Sequence, residues 1–345
     1  MGSSPSIGSK PSQKCGGFFI YKNSSISSLT FFISLPAFKK INMSNNSVLK
    51  GVFLVGLGAA SYGMLATFVK LAYKDVSSQG LHYTPAEVIV AQFVIGVLAV
   101  LAINSFQRNK KKDNVVKATK TDIKKLMLVG TSTGLTSIFY YLAVKYIPVS
   151  IGIVLLMQTV WMGVVLEMIL ERKIPSKIKI VAVFVVLFGT LLATNVLKNE
   201  VNLDWRGLVL GLLAAASFTT TMFAANKVAL AISPAQRSLY MLLGGIVVVF
   251  LFAFITQKTP FNFDIFYKWG ILIALFGTVI PPLLLNAGFP LTGIGLGSIV
   301  SALELPVSVM MAFLVLNETV VFSQWAGILL IILAIVLMNI NFKKN

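Results

Sequence analysis

Long apolar runs, separated by short polar stretches, fill this chain from about residue 51 to 340. Ten runs fall at roughly 51–71, 85–106, 126–144, 150–170, 178–196, 205–228, 238–255, 267–287, 294–316 and 322–340. Each approaches the ~20 residues with which a helix crosses the hydrocarbon core of a bilayer, satisfying its own backbone hydrogen bonds. The pattern occurs twice. Ile147–Gly152 stands 24 residues before Glu171, and Ile294–Ile299 stands 24 residues before Glu318. Lys50-Gly51 followed by Ser61-Tyr62-Gly63 parallels Arg206-Gly207 followed by Ser217-Phe218-Thr219. Thr84-Pro85-Ala86 parallels Ser233-Pro234-Ala235. After a loop two residues longer in the first copy, Lys179, Ala182 and Gly189 fall opposite Gln324, Gly327 and Ala334. Five spans per half, an odd number, turn the second copy upside down. The expected fold is an all-α membrane protein with ten transmembrane helices in two inverted five-helix repeats. Residues 50–197 would form the first repeat, 198–204 the connector and 205–341 the second.

Residues 1–49 stand apart as a disordered leader and cytoplasmic N-terminus. Ser, Lys and Gly are frequent in 1–42, and the apolar piece Leu29–Phe38, holding Pro36, is too short to span. Lys39 and Lys40 follow it where a signal peptide would carry small cleavage-site residues. Met43 reads as the natural start, which would make 1–42 a misassigned start or an expression remnant.

Composition agrees with membrane residence: 57% of residues are apolar and only 12% charged, against about 25% charged in soluble chains. A net charge of +18 would suggest nucleic acid, but its distribution does not. With the N-terminus inside, Arg108, Lys110–Lys112, Lys117, Lys120, Lys124 and Lys125 share the inner face. Arg172, Lys173, Lys177, Lys179, Lys227, Arg237, Lys343 and Lys344 join them. Retention of positive charge in the cytoplasm explains this asymmetry without a nucleic-acid partner, and it puts both termini there. Within the second half the bias is weak, so its orientation rests on the span count. The one cysteine, Cys15, and the one histidine, His82, offer no disulfide, metal site or cofactor site, and the spans lack the clustered groups an enzyme needs.

A resemblance emerges from the second half. Phe276-Gly277-Thr278-Val279-Ile280-Pro281, Gly293 to Gly297, Glu304-Leu305-Pro306, and Asn317-Glu318 before Gln324-Trp325-Ala326-Gly327 occur in that order. Together they resemble the drug/metabolite transporter superfamily, of the ten-span type with two EamA-like repeats, over about residues 50–341. The resemblance implies two inverted five-helix bundles, cytoplasmic termini, and export or exchange of small metabolites. The first half departs from it: Met157-Gln158-Thr159 stands where Glu304-Leu305-Pro306 stands in the second, and Gln92 takes a place where many relatives carry arginine.

Polar groups inside hydrocarbon cost several kcal/mol unless paired or wet, so each demands a reason. Glu304 lies near the middle of the ninth run, two residues before Pro306, whose missing N–H would free the carbonyl of Ala302. It could bind a substrate amine or couple a proton; equally, it could bridge helices at a kink. Gln158 and Trp161 share a helix face and could form an aromatic wall beside an amide, or pack. Tyr62, Gln92, Tyr240 and Asn286 interrupt apolar runs near mid-span, as ligand contacts or interhelical glue. Pro281 and Pro282 would free the carbonyls of Gly277 and Thr278 and make a hinge, with Pro306 a second break. Gly130 with Gly134, and Gly293 with Gly297 and Ser301, suit close helix packing, while Glu171 and Glu318 suit helix ends. The reading is a secondary transporter for a small organic, amino-acid-like molecule in the cytoplasmic membrane, working as an exporter by alternating access. A multidrug efflux carrier is the alternative, with a channel or membrane scaffold behind it.

Overall fold

The computed structural model describes residues 45–110, 116–147, 149–195, 204–317 and 319–342. The leader 1–42, connector residues 198–203, Pro148, Lys111, Lys112, Glu318, Lys343 and Lys344 lie outside the described residues. Helices occupy all ten expected runs: α1 Asn45–Lys74, α2 Pro85–Lys110, α3 Lys120–Tyr146, α4a Val149–Leu156 with α4b Thr159–Glu171, and α5 Lys177–Ala193. The second set is α6 Trp205–Lys227, α7 Pro234–Thr256, α8 Phe266–Thr292, α9a Ile294–Ser301 with α9b Glu304–Leu316, and α10 Phe322–Phe342. Eight of the ten are long and apolar enough to cross a membrane; α5, with 17 residues, and the apolar stretch Phe322–Met338 of α10 are shorter. Among the described residues the only β-pairing is the isolated bridge between Val76 and His82.

Side chains at the run boundaries start these helices. Thr84 Oγ1 accepts from the Glu87 N–H at 3.2 Å while the Glu87 carboxylate accepts from the Thr84 N–H at 2.8 Å, a reciprocal cap. Thr119 and Asp122 repeat that exchange ahead of α3. Ser176, Asp204 and Ser233 cap α5, α6 and α7, and Pro234 fills a first-turn position where a missing N–H costs nothing. Each such cap contributes about 1 kcal/mol.

Packing runs between the halves. α1 lies on α8 and α9b, α3 on α6 and α7, α2 on α7, α4b on α9a and α5 on α10. Exchanging each helix for the one five places later maps this set of pairs largely onto itself, as an inverted duplication requires. The α3–α7 crossing depends on glycine. A Cβ on Gly130 would lie 2.5 Å from Met241 Cα, and one on Gly244 would lie 2.7 Å from the Met127 carbonyl carbon.

The fourth and ninth helices break alike: 8 residues, a two-residue gap, then 13 residues. Both end in a left-handed residue, Arg172 at φ 50° and Asn317 at φ 52°. The breaks lie 145 residues apart (294 − 149), not the 147 that the glutamates suggest. Leu316, rather than Glu318, is therefore the counterpart of Glu171. Asparagine tolerates the left-handed conformation, so Asn317 stops its helix ahead of the glutamate. Pro306 does not leave a free carbonyl either. The Leu305 N–H donates to Ala302 O at 3.2 Å, a tight turn that restarts the helix. In α8 the π-helical turn Leu275–Val279 precedes Ile280–Thr292, and Pro281 and Pro282 occupy the first turn of that segment.

Candidate functional site

A cavity of about 580 Å³ runs between the halves, lined by α1, α2, α3, α4a, α6, α7, α8 and α9b, with Ala193 of α5 and Gln324 of α10. At one end lie exposed Lys70 and Thr319; at the other it stops against Phe289, which is fully buried. Tyr62, Gln92, Pro282, Asn286 and Glu304 line it.

The helix break places Glu304 in the first turn of α9b, in the lining of the cavity. Close packing of Gly63 on α1 against the Glu304 backbone holds that turn in place; a Cβ on Gly63 would come within 2.8 Å of Val307 Cβ. Among the described residues, no hydrogen bond or ion pair engages the Glu304 carboxyl. Tyr62 and Tyr140 lie within its electrostatic range, and Tyr62 meets Phe218 edge-on at 5.8 Å. Among the described residues of the lining, Lys70, at the mouth, is the one other charged side chain.

Two amide oxygens of the described lining are left over. Asn286 Nδ2 donates to Ser238 Oγ and to Pro282 O, both at 2.9 Å. A proline carbonyl only accepts, so this orientation is fixed and Asn286 Oδ1 remains buried without a partner. Gln92 Oε1 is likewise buried and unpartnered, as is the Tyr73 hydroxyl, and all three residues face the cavity. Such groups are rare in folded proteins and call for an explanation; here a ligand's donors would satisfy them.

The other candidates fall elsewhere. Trp161 is 38% exposed on the outer surface of α4b, and its Nε1–H donates to Gln158 Oε1 at 2.8 Å. Gln158 Nε2 donates in turn to Val154 O, so the pair satisfies itself in place of a ligand. Tyr240 packs against the buried cluster of Leu126, Val129, Ala224, Ile232 and Met241. Pro281 and Pro306 are buried outside the lining. Sequence reasoning missed the hydroxyl face of α3, where Thr133, Thr136, Ser137, Tyr140 and Tyr141 enter the cavity. The three- and four-residue spacing of those polar positions was the available signal.

Polar ties bracket the open end. The Asp264 carboxylate accepts from Ser78 N–H at 2.7 Å and from the Tyr83 hydroxyl at 2.9 Å, and pairs with Lys268 at 3.5 Å. Burial pushes the Asp264 pKa up, but these donors outweigh it and hold the group below its ordinary value. Asp75 is held low by Trp269 Nε1–H and then by the Val76 N–H. Burial, and then the Asp264 hydrogen bond, push Tyr83 up. Glu87 accepts from Gln257 and from Asn262, so residues 75–87 are fastened to 257–269.

The sealed end is closed by polar groups, withdrawn from solvent, that charge counting had placed with the cations of the inner face. Arg237 is 2% exposed, because its guanidinium donates to Val228 O, Asn286 O, Ala224 O and Ala225 O. The end of α6 supplies three of those acceptors, and its C-terminal carbonyls favour a cation. Lys179 is only 15% exposed and pairs with Glu167.

The EamA-like transporter family model matches residues 49–195 and 205–340, and the chain belongs to that family. The family match makes this largely helical, multi-span bundle with its ligand-sized cavity a membrane transporter of small molecules. A solved structure, titled only as the crystal structure of a protein, has a TM-score of 0.65 at 12% identity, over 81% of this chain and 96% of its own. At that identity the likeness establishes the fold alone. A search among curated proteins gave no match.

Proposed function

We propose that this protein is a secondary carrier that exports a small organic molecule with an amino group, of amino-acid-like character, by alternating access. The observation carrying this reading is the lining of the cavity: one carboxyl without a cationic partner and two buried amide oxygens without donors. A carboxylate held without a partner inside a helix bundle is unfavourable, which a ligand's ammonium or a proton relieves. Among the described residues, the lining carries one cation, Lys70, and it lies at the mouth, away from Glu304. A cavity open at one end and sealed at the other corresponds to one half of an alternating-access cycle.

The repeats 50–197 and 205–341 would be the two moving halves, joined by 198–204. The charge bias supports cytoplasmic termini in the cytoplasmic membrane, which makes the open end the outer one. Proton coupling through Glu304 fits export against a gradient. Multidrug efflux is the second reading, favoured by the aromatic lining of Tyr62, Phe93, Tyr140, Phe218 and Phe289.

Uptake into proteoliposomes should be measured for amino acids, primary amines, bulky lipophilic cations and size-matched carboxylates. Amino acids or amines should move. Transport confined to lipophilic cations would favour the second reading, and transport confined to carboxylates would refute both.

A further inference from the structure

The Glu167–Lys179 pair sits apart from the cavity, at the sealed end, and joins three helices. One Glu167 oxygen accepts from the Gly295 N–H at 3.2 Å, in the first turn of α9a. The other pairs with Lys179 near the start of α5. Both side chains are largely withdrawn from solvent, at 15% exposed for Lys179 and 13% for Glu167. Glycine makes room for them. A Cβ on Gly293, at φ 78°, would lie 2.9 Å from Glu167 Oε1, and one on Gly295 would overlap the same carboxylate. Gly293, whose spacing suggested close helix packing, and Gly295 therefore form a cradle for a charged side chain.

The duplication supplies a comparison inside the molecule. With the helix breaks 145 residues apart, Glu167 corresponds to Ala312 and Lys179 to Gln324. Ala312 has no charge to offer, and Gln324 bonds instead to Ala193 O at 3.0 Å. Both residues line the open end of the cavity. The repeat that has the charged pair is closed where the pair lies; the repeat that lacks it is open at the equivalent place.

We infer that Glu167, Lys179 and the Gly293–Gly295 backbone form a latch that holds the sealed end of the transporter shut. These are positioning residues for the transport cycle and touch no substrate. Opening that end requires α9a to leave α4b and α5, which separates the Glu167 carboxylate from the Gly295 N–H and Lys179. Removing the latch shifts the population toward the state open at that end and closed at the other. The inference rests on the carrier reading, because only a carrier has both states.

The test uses the full chain with Cys15→Ser and one reporter cysteine, either Ile294→Cys at the sealed end, where Ile294 is 1% exposed, or Ala312→Cys in the cavity. Maleimide labelling rates are measured in purified protein with and without Glu167→Ala or Lys179→Met. Each latch variant should raise labelling at position 294 by about tenfold or more and lower it at 312, as a two-state shift demands. Glu167→Gln keeps the shape and the Gly295 contact; it should shift both rates in the same directions by less, and it serves where the alanine variant folds poorly. The double variant Glu167→Ala/Lys179→Met should be no more shifted than the stronger single one, since both remove one interaction. Unchanged rates at both positions would overturn the latch, and so would a rise at both, which reports general loosening. Counterflow by the unmodified protein separates the two levels. If it is present while labelling is unmoved, the latch alone fails; if it is absent, the carrier reading fails as well.

Discussion

Gln92→Leu separates a ligand-binding amide from an amide that merely joins helices, because the two roles give opposite signs. Gln92 is 3% exposed, and its Oε1 has no donor within reach. An unpaired buried acceptor costs about 1–3 kcal/mol of desolvation. Replacing it with an apolar side chain of similar size removes that cost from the empty protein. The Gln92 amide packs directly on Gly277, and leucine replaces it at similar volume. The empty protein should therefore hold its stability or gain roughly 1 kcal/mol. Substrate binding should move the other way. A neutral donor to Oε1 contributes about 0.5–1.5 kcal/mol and an ammonium about 1.5–3, so affinity should fall roughly 10- to 100-fold for an amine. Thermal unfolding of purified protein, with and without substrate, reads both quantities. A variant less stable by more than about 1 kcal/mol, with unchanged affinity, would refute the reasoning and leave Gln92 as glue.

Other consequences follow from the packing and the loops. Gly130→Leu should collapse the yield of folded protein, because the Met241 backbone already lies 2.5 Å from any added Cβ and overpacking costs at least about 1–3 kcal/mol; normal yield by size exclusion would contradict the glycine crossing. Asp75 and Asp264 have lowered folded pKa values, so their contribution is complete above the ordinary carboxylate range and lost as pH falls through those lowered values. Protection factors of the Val76 and Ser78 amides, taken relative to the intrinsic exchange rate at each pH, should fall on acidification through that window, and pH-independent protection would show that the carboxylates do not hold the loop. In intact cells, a cysteine replacing the exposed Gln79 should react with an impermeant reagent while one replacing Lys177 stays protected; the reverse pattern would invert the topology.

Much of the architecture was legible because bilayer spans are written in long apolar runs, and the parallels at Thr84–Ala86 and Ser233–Ala235 marked the same helix-starting position in both halves. Register was harder to read. Helix ends depend on local backbone choices such as the left-handed Asn317, which shifted the apparent repeat spacing by two residues. Among the candidate site residues, Tyr62, Gln92, Asn286 and Glu304 converge on the cavity, whereas Gln158 and Trp161 bond to each other on the outer surface. A polar residue in an apolar run shows that a partner is needed without showing which way the side chain faces. Arg237 and Lys179 illustrate the same limit for charge: counted with the cations of the inner face, Arg237 is buried and Lys179 largely withdrawn from solvent, because carbonyls and Glu167 receive them.

The central claim is that the cavity around Glu304 carries a substrate between two exclusive states. Counterflow in proteoliposomes tests it most directly. Unlabelled amine or amino acid loaded inside should drive transient accumulation of labelled substrate above its equilibrium level. Glu304→Gln, folded to normal yield, should lose proton-driven transport; it should also lose counterflow if the carboxyl holds the substrate, and keep it if the carboxyl only couples protons. Simple dissipation of the gradient by the unmodified protein, without overshoot, would contradict the account.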